Sequence, residues 1–328
     1  MHKHHPAIRL SLVICFSAAL ALLTGEIFAR ITYVKPWYIK LVEEQNLGYS
    51  KIITQHNRLG LRDNDYAAIK PANCKRVLFL GDSFTYGAGV NDDQAIFPTL
   101  LETQLNKAFA QQGTKVEVLN GGLRGSLTKD WVKLLSEVRD EFQPDIIVMV
   151  FFLRDGTNTT SMDCFFGPIR EEVKMRDKNS FLYQYSYLFR FIQETKDRIR
   201  LSRKYSQALL EAYIGDSEQT KEWANAKANM VTIKTMAEEM NAQVALVIFP
   251  ILVELNNEYP FKKICDEVER FGESQRIPTL NLFPAFKGHN ATTLWVSQFD
   301  QHPNAKAHSI AANAILPFLR TLLHTTVN

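Results

Sequence analysis

The run Arg76-Val-Leu-Phe-Leu-Gly-Asp-Ser-Phe-Thr-Tyr-Gly-Ala-Gly89 constrains this chain more than any other stretch. Val77 to Leu80 is an uninterrupted apolar segment of strand length, and it stops abruptly at Gly81-Asp82-Ser83. Such runs are the mark of strands buried on both faces, as in parallel sheets covered by helices. In open sheets of that kind the reactive loops lie at the carboxyl ends of the strands. A serine on a sharp strand-to-helix turn presents its hydroxyl outward, and flanking backbone N–H groups can face an oxyanion. The same residues also read as a plain βα loop in which Asp82 or Ser83 caps the next helix.

Similar apolar runs recur at Val116–Leu119, Ile146–Phe152, Val244–Phe249 and Thr279–Leu282. Helical periodicity fills Phe97–Ala110, Lys129–Phe142 and Trp223–Met240. A last helix is expected from about Pro303, with Ile310, Ala311, Ala314, Ile315, Phe318, Leu319 and Leu322 on one stripe. Alternation of this kind, with right-handed crossovers, predicts a three-layer α/β/α domain. Its sheet is flavodoxin-like, with five parallel strands in the order 2-1-3-4-5. A chain of 328 residues with 46% hydrophobic content can bury a core of that size. Between about 160 and 240 the pattern loosens into a helical insertion. The insertion can serve as a lid beside the site, but its aromatics Phe181, Tyr183, Tyr185, Tyr187, Phe189 and Phe191 are expected to pack it onto the sheet rather than to contact substrate.

The amino terminus is of another kind. Leu10 to Gly25 carries no charge, and Arg9 and Glu26 can reach the interfaces from either end, giving roughly 20 residues of spanning length. Residues 1–35 therefore read as a membrane anchor. A cleaved signal peptide is the rival, but Leu-Leu-Thr-Gly-Glu offers no small-x-small cleavage site. Lys3 and Arg9 precede the span while Arg30, Lys35 and Lys40 come after it, so charge bias is nearly balanced. Such anchors usually export the domain behind them. This predicts a single-pass protein of the cytoplasmic membrane with the bulk of the chain on the periplasmic or extracellular side. Trp37 and Tyr38 with Lys35 and Lys40 read as an interfacial collar. Residues 36–74 form a polar lead-in with the irregular stretch Asn57–Asp63, and 75–328 form the main domain.

Near the carboxyl end stands Asp300-Gln-His-Pro-Asn304, placed before a helix that Pro303 can start. A histidine is a well-oriented base for a serine when a carboxylate holds its other ring nitrogen. Ser83, Asp300 and His302 supply the three parts. Either Asp300 or His302 alone could equally cap the helix.

Gly81-Asp-Ser-Phe-Thr-Tyr-Gly87 resembles the first block of the SGNH, or GDSL-type, hydrolases, and Asp300-Gln-His302-Pro-Asn resembles their last. Asn120-Gly-Gly-Leu-Arg-Gly125-Ser resembles the second block, and Phe151-Phe-Leu-Arg154-Asp155-Gly156 stands at the third. The resemblance runs from about Asn57 to His308. It implies a serine esterase with Ser83 as nucleophile, His302 as base and Asp300 as its orienting carboxylate. It implies an oxyanion hole built from Ser83, Gly125 and the residue in the third block's asparagine place, with Asp82, Asn120 and Asp155 in support. That place holds Arg154 here. Arginine is longer and always charged. It can donate to an oxyanion, bind an anionic substrate, or be captured by Asp155, and Asn158 is the alternative donor. A second departure is Asp-x-His where many members have Asp-x-x-His.

The expected substrate is an acylated small molecule or carbohydrate, O-acetyl esters on envelope or exported polysaccharide above all. Two alternatives stand beside it: an O-acyltransferase that uses the same residues, and a degenerate domain, favoured by Arg154, that binds carbohydrate or scaffolds an export complex without turnover. Net charge is +3, with no Lys/Arg cluster interleaved with aromatics, which argues against nucleic acid. No His/Asp/Glu spacing suggests a metal, and no cofactor is implied. A haloacid-dehalogenase-type phosphatase needs a second Asp where Phe84 stands. Of Cys15, Cys74, Cys164 and Cys265 no two have redox or zinc spacing, and a Cys164–Cys265 disulfide is compatible with an oxidising compartment. His308 is expected to pack within the last helix.

Overall fold

The computed structural model describes residues 6–33, 56–157, 172, 175–176, 180–215, 220–297 and 300–325. The Lys35–Lys40 collar, Asn158 and Cys164 lie outside the described residues. Cys265 is described and is a buried free thiol, so it does not form the Cys164–Cys265 disulfide that the sequence allows. The chain divides into two compact units. One takes in the described residues of 1–46 and 162–205, the other those of 47–161 and 206–328.

In the first unit, helix α1 (Pro6–Thr32) is continuous over 27 residues. Its stretch Leu10–Thr32 is long and apolar enough to cross a membrane. Leu12, Val13, Phe16, Leu22 and Phe28 are all exposed along it. The short helix α5 (Phe181–Tyr185) and the start of α6 (Tyr187–Tyr213) belong to the same unit.

The second unit is built on β1 (Cys74–Gly81), β2 (Lys115–Gly122), β3 (Ile146–Phe152), β4 (Gln243–Phe249) and β5 (Thr279–Asn281). They form one sheet in the order β2-β1-β3-β4-β5. All neighbouring pairs are parallel. Every residue of β3 is buried, which explains its unbroken apolar sequence. Helices α3 (Phe97–Phe109) and α10 (Ala305–Thr325) pack against each other, as do α4 (Thr128–Phe142) and α7 (Thr220–Glu239), and the one-turn α9 (Phe283–Phe286) also meets α10. Trp223 of α7 meets Phe271 of α8 (Lys262–Ser274) at 5.8 Å. Crossover helices therefore cover the sheet, the three-layer α/β/α arrangement that the alternation predicts. Within the stretch 160–240, α7 is a sheet-covering helix whose buried side includes Trp223, Met230 and Ile233. Helix α8 has no counterpart among the helices expected from the sequence, although Ile264, Cys265, Val268 and Phe271 mark one buried face.

The lead-in is not a loose connector from Asn57 onward. Strand β2 is an edge strand, and an uncovered edge presents unpaired N–H and C=O groups. Asp63 accepts the Asn120 N–H at 2.7 Å, Glu102 accepts that of Val118 at 2.7 Å, and the Tyr66 hydroxyl donates to the Val118 carbonyl at 2.6 Å. Burial pushes the Asp63 carboxyl up to about 7 and raises that of Glu102 as well. A folded-state value above the unfolded one means that the folded chain binds more protons than the unfolded chain between about pH 4 and pH 7. Stability should therefore fall as pH rises through that window, and Asp63→Asn should flatten the slope. Urea midpoints across the window measure it; an unchanged slope in the variant would show that Asp63 does not titrate there.

Candidate active site

The site forms where β1 ends. Asp82 caps the one-turn helix α2 (Ser83–Tyr86): its Oδ1 accepts the Phe84 N–H at 2.8 Å. The turn closes at Gly87, whose φ of +81° suits glycine, and whose N–H donates to the Ser83 carbonyl at 3.1 Å. Phe84 locks α2 down from beneath. It stacks on Phe152 of β3 at 3.9 Å and meets Phe249 of β4 edge-on at 5.2 Å. Ser83 is left half-buried at the sheet end.

A hairpin brings the partners. Strands β6 (Trp295–Ser297) and β7 (Asp300–Pro303) pair antiparallel. Pro303 ends β7 rather than starting the last helix. Asn304 is the residue between them, and its Oδ1 accepts the Ala307 N–H at 3.1 Å. The Asn304 amide also donates to the carbonyls of Thr293 at 3.0 Å and Trp295 at 2.9 Å, and Trp295 Nε1 donates to the Leu252 carbonyl at 2.7 Å. Sequence reasoning missed this hairpin because its strands are only three and four residues long.

His302 Nε2 lies 2.9 Å from Ser83 Oγ, and His302 Nδ1 lies 2.5 Å from Asp300 Oδ1. The His302 N–H donates to the same Asp300 oxygen at 3.0 Å, and Ser297 Oγ accepts the Asp300 N–H at 3.1 Å. Burial pushes the Asp300 carboxyl up, but the hydrogen bonds and charge of His302 outweigh it. With a smaller contribution from Arg124, they hold Asp300 below its ordinary value. An ionised carboxylate on Nδ1 keeps Nε2 as the acceptor of the serine proton.

Two buried carboxylates lie behind the serine. Asp82 Oδ2 is 3.3 Å from Ser83 Oγ. Burial raises the Asp82 carboxyl, against the pull of the Phe84 N–H, His302 and Arg154. Asp155 is raised further, by burial and by the neighbouring Asp82 charge, and its Oδ2 accepts the Phe152 N–H at 2.9 Å. Two carboxylates sharing a dry site cannot both ionise freely. Asp155 is thus turned inward to end β3.

Asp155 does not capture Arg154. The Arg154 side chain is exposed, its guanidinium carbon 5.9 Å from the Phe152 ring centroid, with no hydrogen bond or ion pair among the described residues.

The second block splits its glycines by role. Gly122 ends β2 against α2, where a Cβ would fall 2.1 Å from the Tyr86 nitrogen, and its N–H is taken by Asn120 Oδ1 at 3.0 Å. At Gly125 a Cβ would meet nothing within 4 Å, so its φ of +75° is what calls for glycine. Its N–H has no protein partner among the described residues. Ser126 ties this loop to β1 by donating to the Gly81 carbonyl at 3.1 Å, while the Leu123 N–H donates to the same oxygen at 2.9 Å. His308 is buried away from the triad, its Nδ1 accepting the Phe97 N–H at 3.2 Å, and burial lowers its pKa to about 3.

Among solved structures, TesA is similar over 76% of this chain and 99% of its own at 14% identity, with a TM-score of 0.47. A carbohydrate acetylesterase family member from Sinorhizobium meliloti covers 76% of this chain and 99% of its own at 12% identity and a TM-score of 0.44. A catalytic mutant of Axe2, an acetylxylan esterase from Geobacillus stearothermophilus, covers 76% and 95% at 14% identity and a TM-score of 0.43. No curated protein sequence matches. The family model for GDSL-like Lipase/Acylhydrolase matches residues 77–315, from within β1 to within α10. By that match the chain belongs to the GDSL-like lipases and acylhydrolases, and is an SGNH ester hydrolase.

Proposed function

We propose that the protein is a serine esterase that removes acyl groups, O-acetyl esters above all, from envelope or exported polysaccharide. In this reading Ser83 Oγ attacks the acyl carbon while His302 Nε2 takes its proton. Asp300 holds the imidazole and stabilises the imidazolium. The N–H groups of Ser83 and Gly125 receive the oxyanion. The acyl C–O bond then breaks, His302 protonates the leaving sugar oxygen, and the acyl group stays on Ser83. Water, deprotonated by His302, attacks the acyl carbon; the bond to Ser83 Oγ breaks, Oγ recovers the proton from His302, and the acid leaves. The observation that carries the reading is the 2.9 Å contact between His302 Nε2 and Ser83 Oγ, with Asp300 on the far nitrogen. The anchor supports placing the site outside the cytoplasm, where such polymers are found, with α1 in the membrane.

The test is hydrolysis by the full chain in detergent. Short p-nitrophenyl esters should turn over faster than long-chain ones, and acetylated polysaccharide should release acetate. Turnover of long-chain esters alone would contradict the acetyl reading.

Arg154 is assigned the third donor place of the oxyanion hole, reached by an exposed and unpaired side chain. Removing one such donor typically costs about 10²–10³ in kcat. Arg154→Ala should show that loss on a neutral short-chain ester, and Arg154→Asn should recover at least the parent's rate. Full kcat in Arg154→Ala would remove the residue from the hole. A change confined to KM would make it a substrate-binding group instead.

A further inference from the structure

Helix α1 does not end as a bare span. The Glu26 carboxylate accepts the backbone N–H groups of Tyr187 and Leu188, each at 2.9 Å, and the Ser186 hydroxyl at 2.8 Å. One side chain of α1 thus caps the amino terminus of α6, where unpaired N–H groups favour an anion. Arg30 Nε donates to Glu26 at 2.9 Å, and its Nη2 donates to the Tyr185 carbonyl at 3.0 Å. At Gly25 a Cβ would lie 3.2 Å from Leu188 Cδ2, so the two helices approach closely there. Tyr33 completes the junction by donating to Glu194 at 2.9 Å. These contacts fix α5 and the first turns of α6 at the level of residues 25–33, the carboxyl end of the apolar stretch.

At that level the surface is unusually apolar. Phe181, Leu182 and Tyr185 of α5 are 73%, 55% and 62% exposed, and Phe191 and Ile192 of α6 are 56% and 43% exposed. Along α6, Leu188, Phe191, Ile192 and Ile199 fall on one helical stripe. Between Tyr187 and Tyr205 there are six basic and two acidic side chains. An exposed aromatic and aliphatic stripe beside Arg and Lys is the pattern of a helix lying in a membrane interface. Helix α1 likewise exposes Leu20, Leu23, Ile27 and Phe28, so one apolar solvent suits both helices.

We propose that α5 and the amino-terminal half of α6 lie in the headgroup layer of the bilayer, with Phe181, Leu182, Tyr185, Phe191 and Ile192 in the acyl boundary and the basic side chains toward anionic headgroups. This rests on the reading that α1 spans that bilayer. The partner is the lipid surface itself.

The test uses the full chain in nanodiscs of equimolar phosphatidylcholine and phosphatidylglycerol. The discs carry a trace of phospholipid with a photoactivatable diazirine near the glycerol, and adducts are mapped by mass spectrometry. Adducts are expected on α1 and on residues 181–192. In Phe191→Asp with Ile192→Asp, those on Phe181–Tyr185 should fall about tenfold or more, with α1 adducts and ester hydrolysis unchanged. Adducts on α1 but none on 181–192 would overturn the interfacial placement and leave the anchor standing. Adducts on neither would overturn both. Labelling of 181–185 that ignores the double variant would show that the stripe does not hold this segment in lipid.

Discussion

Ser83→Ala is expected to lower kcat for a short-chain ester by about 10⁵–10⁶-fold while leaving the protein folded. Both halves of this expectation come from the same contacts. The Ser83 hydroxyl faces His302 at 2.9 Å and Asp82 at 3.3 Å, so its removal empties no core space. Asp82 keeps its cap on Phe84, and Phe84 keeps its stack on Phe152. What disappears is the nucleophile, and the remaining N–H groups can still polarise an ester, so a small residual rate persists. Asp300→Asn should cost less, about 10⁴-fold, because the imidazole stays but is held in the wrong tautomer. A Ser83→Ala variant with substantial activity and a normal melting curve would place the nucleophile elsewhere.

The largest loss of stability is expected from Arg62→Ala. Arg62 comes from the lead-in, and its side chain is 1% exposed. Its Nη1 donates to the Gly87 carbonyl at 2.6 Å and to that of Tyr86 at 3.3 Å, and its Nη2 to that of Val90 at 2.7 Å. Its Nε donates to Asp93 at 2.7 Å, and its guanidinium lies 5.4 Å from the Tyr86 ring centroid. The carbonyls belong to the turn that closes α2, just after Ser83. Truncation takes this donor from the Tyr86 and Val90 carbonyls, while that of Gly87 keeps the Val90 N–H at 3.2 Å; each unmet buried acceptor costs about 1–3 kcal/mol. Asp93 is 37% exposed and keeps solvent, so it adds little. The sum is about 3–5 kcal/mol, read as a fall in the urea midpoint. Arg62→Lys should recover little, since one ammonium cannot satisfy acceptors spread over a planar fork. A loss below about 1 kcal/mol would mean that water reaches these carbonyls.

Much of this architecture was legible in the chain because its signals are local. The five apolar runs and the helical periods between them lead directly to the order 2-1-3-4-5, and the Asp82-Ser83 turn stands at the end of β1. What escaped depends on distant partners or on very short elements. Asn57–Asp63 has no periodicity, yet Arg62 and Asp63 reach the Gly87 turn and the Asn120 N–H through tertiary contacts alone. The β6–β7 hairpin is too short to announce itself, so Pro303 read as a helix start when it closes a strand. Gly125 is reached only through the resemblance; the structure gives it a positive φ, while Gly122 is the glycine against which α2 packs. The exposed aromatics Phe181, Tyr185 and Phe191 read as packing on the sheet, since composition does not tell a core stripe from an exposed one.

The whole mechanism turns on Ser83 being a nucleophile activated by His302. The decisive measurement is labelling of the full chain with a fluorophosphonate, with the adduct located by mass spectrometry. One stoichiometric adduct on Ser83 is expected, absent in Ser83→Ala and formed far more slowly in His302→Ala. A folded protein that takes no label, or takes it on another residue, would contradict the assignment.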